Sequence, residues 1–196
     1  MKKLLLAVVI VGLIVAISAP SSAQSKMSLS VGGDVMLPLG TFGDVFSLGF
    51  GGTVRGQYDF TPVISAGLEA GYFSWSAKSV TAPAVAPTFH GVPVRVFGKY
   101  YFMPEGAKMR FYGMAELGLF FGTMSVTTPT VTIPFVGTFG GTTSASSTDF
   151  MYAPVVGVEI PAGKVAIDVS VRYDGIATSG SSTSNIGARV GVNFPI

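Results

Sequence analysis

Eight stretches of alternating hydrophobicity, joined by connections that are long and short in turn, follow a leader of basic, apolar and small residues. Together these features predict an all-β fold: an eight-stranded, antiparallel, up-and-down transmembrane β-barrel after a cleaved signal peptide. The clearest stretch is residues 110–121 (RFYGMAELGLFF). One face carries Phe111, Gly113, Ala115, Leu117, Leu119 and Phe121; the other carries Arg110, Tyr112, Met114, Glu116, Gly118 and Phe120. Period two is a strand signal, because successive side chains point to opposite sides of a sheet. From Phe111 to Phe121, steps of about 3.3 Å at a tilt of about 40° climb roughly 25 Å, the height of the apolar band on a membrane barrel. Arg110 and Glu116 are costly in lipid, so their face is expected to line the lumen.

The leader comes first. Residues 1–3 are short and basic, 4–18 are mostly large and apolar, and Pro20, two serines and Ala23 follow. This reads as a secretory signal peptide over 1–23, cut after Ala23, with a barrel domain over 24–196. A membrane-spanning helix needs about 20 apolar residues, more than this run supplies. Export through the Sec pathway to the bacterial outer membrane is the expected route. With Lys2 and Lys3 removed, ten basic residues balance ten acidic ones, so no basic patch points to nucleic acid. The chain has no cysteine, which excludes disulfides, thiolate zinc sites and a lipidated N-terminal cysteine. Apolar residues make up 48% of the chain, yet no later run is long enough for a membrane helix.

The first strand alternates Met27, Leu29, Val31, Gly33, Val35 and Leu37 against Ser28, Ser30, Gly32, Asp34 and Met36. Residues 38–44 (PLGTFGD) are turn chemistry. The second strand sets Leu48, Phe50, Gly52, Val54, Gly56, Tyr58 and Phe60 against Thr53, Arg55, Gln57 and Asp59. After a short turn at Thr61 and Pro62, the third sets Ile64, Ala66, Leu68, Ala70 and Tyr72 against Ser65, Gly67 and Glu69. A longer loop is expected over 76–91. The fourth strand faces Val92, Val94, Val96, Gly98, Tyr100 and Phe102 outward and Arg95, Phe97, Lys99 and Tyr101 inward. Residues 103–108 (MPEGAK) form a short turn into the stretch already described. The Thr/Ser/Gly-rich segment 123–148 is expected to extend as a hairpin above the membrane. The sixth strand turns Phe150, Tyr152, Pro154, Val156, Val158 and Ile160 outward and Glu159 inward. Past the short PAGK turn, Val165, Ile167, Val169, Val171 and Tyr173 oppose Ala166, Asp168, Ser170 and Arg172. A loop over 174–184 leads to the last strand, with Ile186, Ala188, Val190, Val192 and Phe194 outward and Arg189 and Asn193 inward.

Short turns on one side and long loops on the other match the periplasmic and outer ends of an outer-membrane barrel, with both chain ends on the periplasmic side. The eighth strand should pair with the first, leaving no open edge in lipid. Strand directions then place Tyr58, Phe60, Tyr100, Phe102, Phe111 and Phe194 near the periplasmic rim. Phe50, Tyr72, Phe121, Phe150, Tyr152 and Tyr173 fall near the outer rim, completing two aromatic girdles. The competing fold is a soluble lipocalin-like barrel with the apolar face inward around a ligand. Its water-facing surface would be rich in glycine and sparse in charge, which suits a solvated surface poorly. Inside a narrow barrel, the same glycines make room for long Arg and Tyr side chains.

The chain therefore resembles the small outer-membrane β-barrel domains of the OmpA/OmpX type, over roughly residues 27–194. Its first hairpin, 37–52 (LPLGTFGDVFSLGFGG), is similar to the glycine-rich first hairpins of that group. Such proteins commonly end on an aromatic residue used as an assembly signal; here Pro195 and Ile196 follow Phe194. The peptidoglycan-binding module of longer relatives is not expected. The resemblance implies outer-membrane lipid and the outer-membrane assembly machinery as partners, a monomer, and porin-like placement in the cell envelope.

The inward charges carry the most chemistry. Asp34, Asp59, Glu69, Glu116, Glu159 and Asp168 face Arg55, Arg95, Lys99, Arg110, Arg172 and Arg189. Unpaired charge is costly at low dielectric, so pairing is expected. Glu69, Arg95, Glu116 and Arg189 lie nearest mid-membrane; with Arg55, Asp168 and Arg172 they are expected to plug the lumen as a salt-bridge network. Two roles stay open: the charges fill and specify the barrel, or they exchange partners as a gate for ions. The functional classes are accordingly a structural or surface-interaction barrel and a narrow passage protein for ions or small molecules. No catalytic group, cofactor or metal site is expected. His90 is the only histidine, and Ser74 and Asp149 are its only candidate partners for lipid A chemistry, with no motif joining the three. The glycines of 49–52 (GFGG) and Gly140–Gly141 lack the strand–helix setting of a phosphate loop.

Overall fold

The computed structural model describes residues 26–78, 86–133, 137–178 and 181–196, so the expected leader over 1–23 lies outside the described residues. The eight strands are β1 (Met27–Leu39), β2 (Phe46–Asp59), β3 (Ile64–Ala77), β4 (Ala86–Tyr101), β5 (Arg110–Ile133), β6 (Gly137–Ala162), β7 (Val165–Thr178) and β8 (Ser181–Pro195). One short helix, α1 (Gly40–Val45), joins β1 to β2. Each strand pairs antiparallel with its neighbours in sequence, and β1 pairs with β8 to close the barrel. That seam runs from Ser28 opposite Pro195 to Leu39 opposite Ser184, so every strand of the membrane band has two partners. Closure of this kind is what a sheet in lipid requires, because no water is there to satisfy an open edge.

Through the membrane band the faces follow the period-two reading. Leu68, Val96, Leu117, Val156, Val171 and Val190 are exposed on the outside. Arg55, Glu69, Arg95, Glu116, Asp168 and Arg189 are buried inside. A soluble fold would hide the first set and show the second; a lipid-facing barrel does the reverse.

The loop end differs from the sequence reading. Pro38 and Leu39 belong to β1, and 40–45 form α1 rather than an open turn, with Gly40 in the left-handed region at φ 58°. The expected loop 76–91 is shorter: Ser76 and Ala77 end β3, residues 86–91 begin β4, and 79–85 lie outside the described residues. The expected loop 174–184 is likewise strand up to Thr178 and again from Ser181. The 123–148 segment does extend the β5–β6 hairpin as expected: its described strands pair up to Thr128 opposite Gly141 and, past a bulge, from Val131 opposite Phe139 to Ile133 opposite Gly137. The physical reason for the shorter loops is an inversion of the hydrophobic pattern. Above the outer girdle the outside is wet and carries Ser74, Ser76 and His90, while the inside carries buried Phe73 and Trp75. Alternation persists there with its sense reversed, so apolar-outward spacing no longer marks the strands.

Candidate functional site

The lumen is packed in three layers along the barrel axis. At the turn end, Tyr101 donates to Glu159 at 2.9 Å, Asn193 donates to the same carboxylate at 2.8 Å, and Gln57 donates to Asp59 at 2.8 Å and to Tyr101 at 3.2 Å. The Lys99 ammonium lies 3.7 Å from Glu159 and 4.3 Å from the centre of the Tyr112 ring. The Arg110 guanidinium stacks 3.7 Å over Tyr101 and donates to the Pro62 carbonyl at 2.5 Å. Phe97, Met114, Ala153 and Val155 pack beside these groups as a small apolar cluster. Cation–π contact and a shared carboxylate thus compensate Lys99 for lost water.

The middle layer is ionic. Arg55 is its hub, bonded to Glu69 and lying 3.4 Å from Glu116 and 3.5 Å from Asp168. Arg95 reaches Glu69 at 2.7 Å, Glu116 at 2.8 Å and Asp174 at 2.9 Å. Arg172 reaches Asp34 at 2.9 Å and both Glu69 and Asp174 at 3.3 Å. Arg189 meets Asp168 at 2.9 Å and donates to Thr53 at 2.7 Å and Ser30 at 2.8 Å. Thr53 in turn donates to Asp34 at 2.9 Å, and Tyr112 donates to Asp168 at 2.8 Å. Arg95, Glu116 and Asp168 are 1%, 1% and 0% exposed, so this layer is shut off from solvent. Guanidinium is suited to the place: it keeps its charge, and its fork of donors serves several carboxylates at once.

Of the four charges nearest mid-membrane, Glu69, Arg95 and Glu116 are brought together directly, whereas Arg189 joins through Asp168 and Arg55. Glycine makes space for it: a Cβ on Gly32 or on Gly191 would sit 2.6 Å from the Arg189 guanidinium. Asp174 is the ionic member the sequence reading placed in a loop. It lies two residues beyond Arg172 on the same face, and carrying the alternation one step further would have found it. Asp174 adds a further acid to the six expected on the inner face.

The outer layer is apolar. Met36, Phe46, Phe73, Trp75, Phe120, Met151 and Ile176 form one buried cluster, with Phe42 of α1 and Phe89 packed against it. Phe42 lies 4.8 Å from Phe46, 5.9 Å from Trp75 and 5.5 Å from Phe89, ring centre to ring centre. The helix therefore acts as a stopper whose single aromatic ring enters the mouth of the barrel. The expected polar filling holds for the two lower layers; the third is sealed with aromatic rings.

Around the outside, Tyr58, Tyr100, Phe111, Phe50, Tyr72, Phe121, Phe150, Tyr152 and Tyr173 are exposed on strands, and Phe60 and Phe102 are exposed just past strand ends. Phe194 is half-buried. Tyr58 and Phe60 meet edge to face at 5.0 Å between ring centres, and Tyr100 and Phe102 do so at 5.6 Å, along the turn-end rim. His90 stands opposite Ser74 across β3–β4, but its Nδ1 is hydrogen-bonded to the Tyr72 hydroxyl at 2.9 Å. Asp149 instead accepts from Ser147 at 2.7 Å and stands opposite Phe120. The three residues do not form a relay. Among the described residues, no cluster of three or more His, Asp or Glu side chains suits a metal ion.

Residues 9–194 match the family described as outer membrane protein beta-barrel domain. The structure is similar to that of Neisserial surface protein A, at 16% identity and a TM-score of 0.60, covering 89% of this chain and 100% of that one. A major outer membrane protein from Thermus thermophilus is similar at 11% identity and a TM-score of 0.57, covering 86% and 98%. Ail, the attachment invasion locus protein of Yersinia pestis, is similar at 15% identity and a TM-score of 0.52, covering 88% and 100%. At these identities the likeness is one of fold. No curated protein sequence matches the chain.

Proposed function

This chain belongs to the outer membrane protein beta-barrel domain family, and we propose that it serves the outer membrane as a closed structural and surface-interaction barrel rather than as a channel. The observation that carries this reading is the buried middle layer, where Arg55 ties Glu69, Glu116 and Asp168 across the lumen. An eight-stranded barrel has an interior just wide enough for side chains, and here they fill it. An ion crossing would have to separate these pairs and then pass the aromatic layer around Trp75. The β5–β6 hairpin projecting beyond the barrel supports a surface role. Ail, of similar fold, has been solved in complex with the heparin analogue sucrose octasulfate, so a barrel of this fold can present a ligand site.

His90 is given no catalytic role, since Tyr72 holds its ring nitrogen and Asp149 lies elsewhere. The leader 1–23 directs Sec export, the assembly machinery inserts the chain, and one chain makes one complete barrel in its lipid. Planar-bilayer recording tests the closed lumen. Wild-type protein is expected to give no discrete current steps, and Glu116→Ala is expected to leave that unchanged. Steps in the wild type that vanish in Glu116→Ala would establish the gated passage instead. A lipid A acyl-chain assay on the purified protein is expected to show no turnover.

A further inference from the structure

Among the described residues, the β5–β6 hairpin carries a long strand edge that the barrel does not close. β7 pairs with β6 from Phe150 opposite Ala177 downward, and among the described residues no strand flanks the outer side of β6 above that point. Residues 140–148 are all exposed. Natural proteins blunt such an edge with charge, proline or a bulge. Residues 137–148 (GTFGGTTSASST) contain neither charge nor proline. A bulge does occur, between Thr128 and Val131 where they meet Gly141 and Phe139, and Gly140 and Gly141 there have φ of 106° and 137°. Bulge and β7 between them bound a regular run of edge, residues 142–148.

That run reads TTSASST, nearly the same in both directions about Ala145. An interface between two copies related by a two-fold axis must be self-complementary. Antiparallel pairing of this run with itself places Thr142 opposite Thr148, Ser144 opposite Ser146 and Ala145 opposite Ala145. One face already bears a hydroxyl ladder: Thr123 to Ser146 at 3.2 Å, Ser125 to Ser144 at 3.1 Å and Thr127 to Thr142 at 3.1 Å. The pairing would continue that ladder across the seam, and cross-strand Ser/Thr pairs are favourable.

We propose that the outer edge of β6 over residues 142–148 docks antiparallel against the same edge of a second copy of this chain, seated in a facing membrane. The direction follows from geometry. In one membrane every β6 runs from the outside inward, so two neighbouring copies would meet in parallel. Antiparallel pairing inverts the partner, which places it across a gap. The barrel is thereby a homotypic adhesion element. This inference rests on reading the loop end as the outer face. It is independent of the closed lumen, so a conducting barrel would overturn that reading and leave this one standing.

The absence of native cysteine makes the register directly testable. In folded, detergent-solubilised protein, Ala145→Cys is expected to form a disulfide-linked dimer, because directly opposed residues in an antiparallel pair lie about 4.5–5.5 Å apart, within disulfide reach. Thr142→Cys alone and Thr148→Cys alone should stay uncrosslinked, since each lies about 20 Å from its own copy in this register. A mixture of those two variants should crosslink. In proteoliposomes, wild-type vesicles are expected to cluster, read as turbidity. Ala145→Lys vesicles and Ala145→Glu vesicles should each fail to cluster alone and should cluster when mixed. The heat-dependent gel shift of each variant checks that its barrel is folded. Crosslinking without this register, or clustering unaffected by Ala145→Lys, overturns the proposal; so does folded Ala145→Cys protein that stays monomeric, and so do wild-type vesicles that fail to cluster.

Discussion

Arg55 shows most plainly what the lumen charges do for stability. Its guanidinium serves Glu69, Glu116 and Asp168, none of which reaches water. Removing one member of a buried ionic group leaves uncompensated charge, which typically costs about 3–5 kcal/mol. Arg55→Met is therefore expected to lower the unfolding free energy of detergent-folded protein by that order, read as a fall in the urea midpoint. Exposed Lys78, whose ammonium bonds to the Gly43 carbonyl at the loop end, should tolerate Ala within about 0.5 kcal/mol. A midpoint for Arg55→Met equal to that of Lys78→Ala would mean the middle layer is solvated. Packing makes a second point at the same scale. A Cβ on Gly191 would sit 2.6 Å from Arg189, which is already held by Asp168, Thr53 and Ser30. Gly191→Ala is expected to cost about 1–3 kcal/mol by overpacking, measured on the same urea curve.

Among the elements, α1 and the strand ends it caps form the outer seal. Trp75 is almost wholly buried among Phe73, Phe89, Phe120 and Phe42. Its truncation to Ala is expected to cost about 3–5 kcal/mol. The charged layer below should still block the lumen, so the Trp75→Ala barrel is expected to be less stable yet silent in a planar bilayer. The membrane band was legible from sequence because lipid outside and charge inside give each strand opposite faces, as in Leu117 beside Glu116. The seal was not, because there the two environments exchange sides. Phe73 and Trp75 continue the face of Glu69 with the opposite polarity, so a search for outward apolar residues stops at Tyr72. Asp174 was missed for the same reason: Tyr173 is the last outward apolar residue of β7 before the strand passes above the girdle. The turns at 60–63 and 102–109 were easy to place because both strands end there together, without a polar extension.

For the molecule as a whole, closure and the exposed apolar belt define one environment. A chain that exposes Leu68, Val96, Val156 and Val190 while burying four arginines is stable in this fold only with lipid around it. The unboiled protein is accordingly expected to migrate differently from the boiled one on a detergent gel and to fractionate with the outer membrane. The ionic middle layer and the aromatic seal stand one above the other in the same lumen, and an eight-stranded wall leaves little width to spare around them. Single-molecule conductance of the wild-type barrel in a planar bilayer therefore bears most directly on what the protein is. A flat baseline in molar salt, from protein shown by gel shift to be folded, is the expected result. Discrete steps whose size follows salt concentration would contradict a closed lumen.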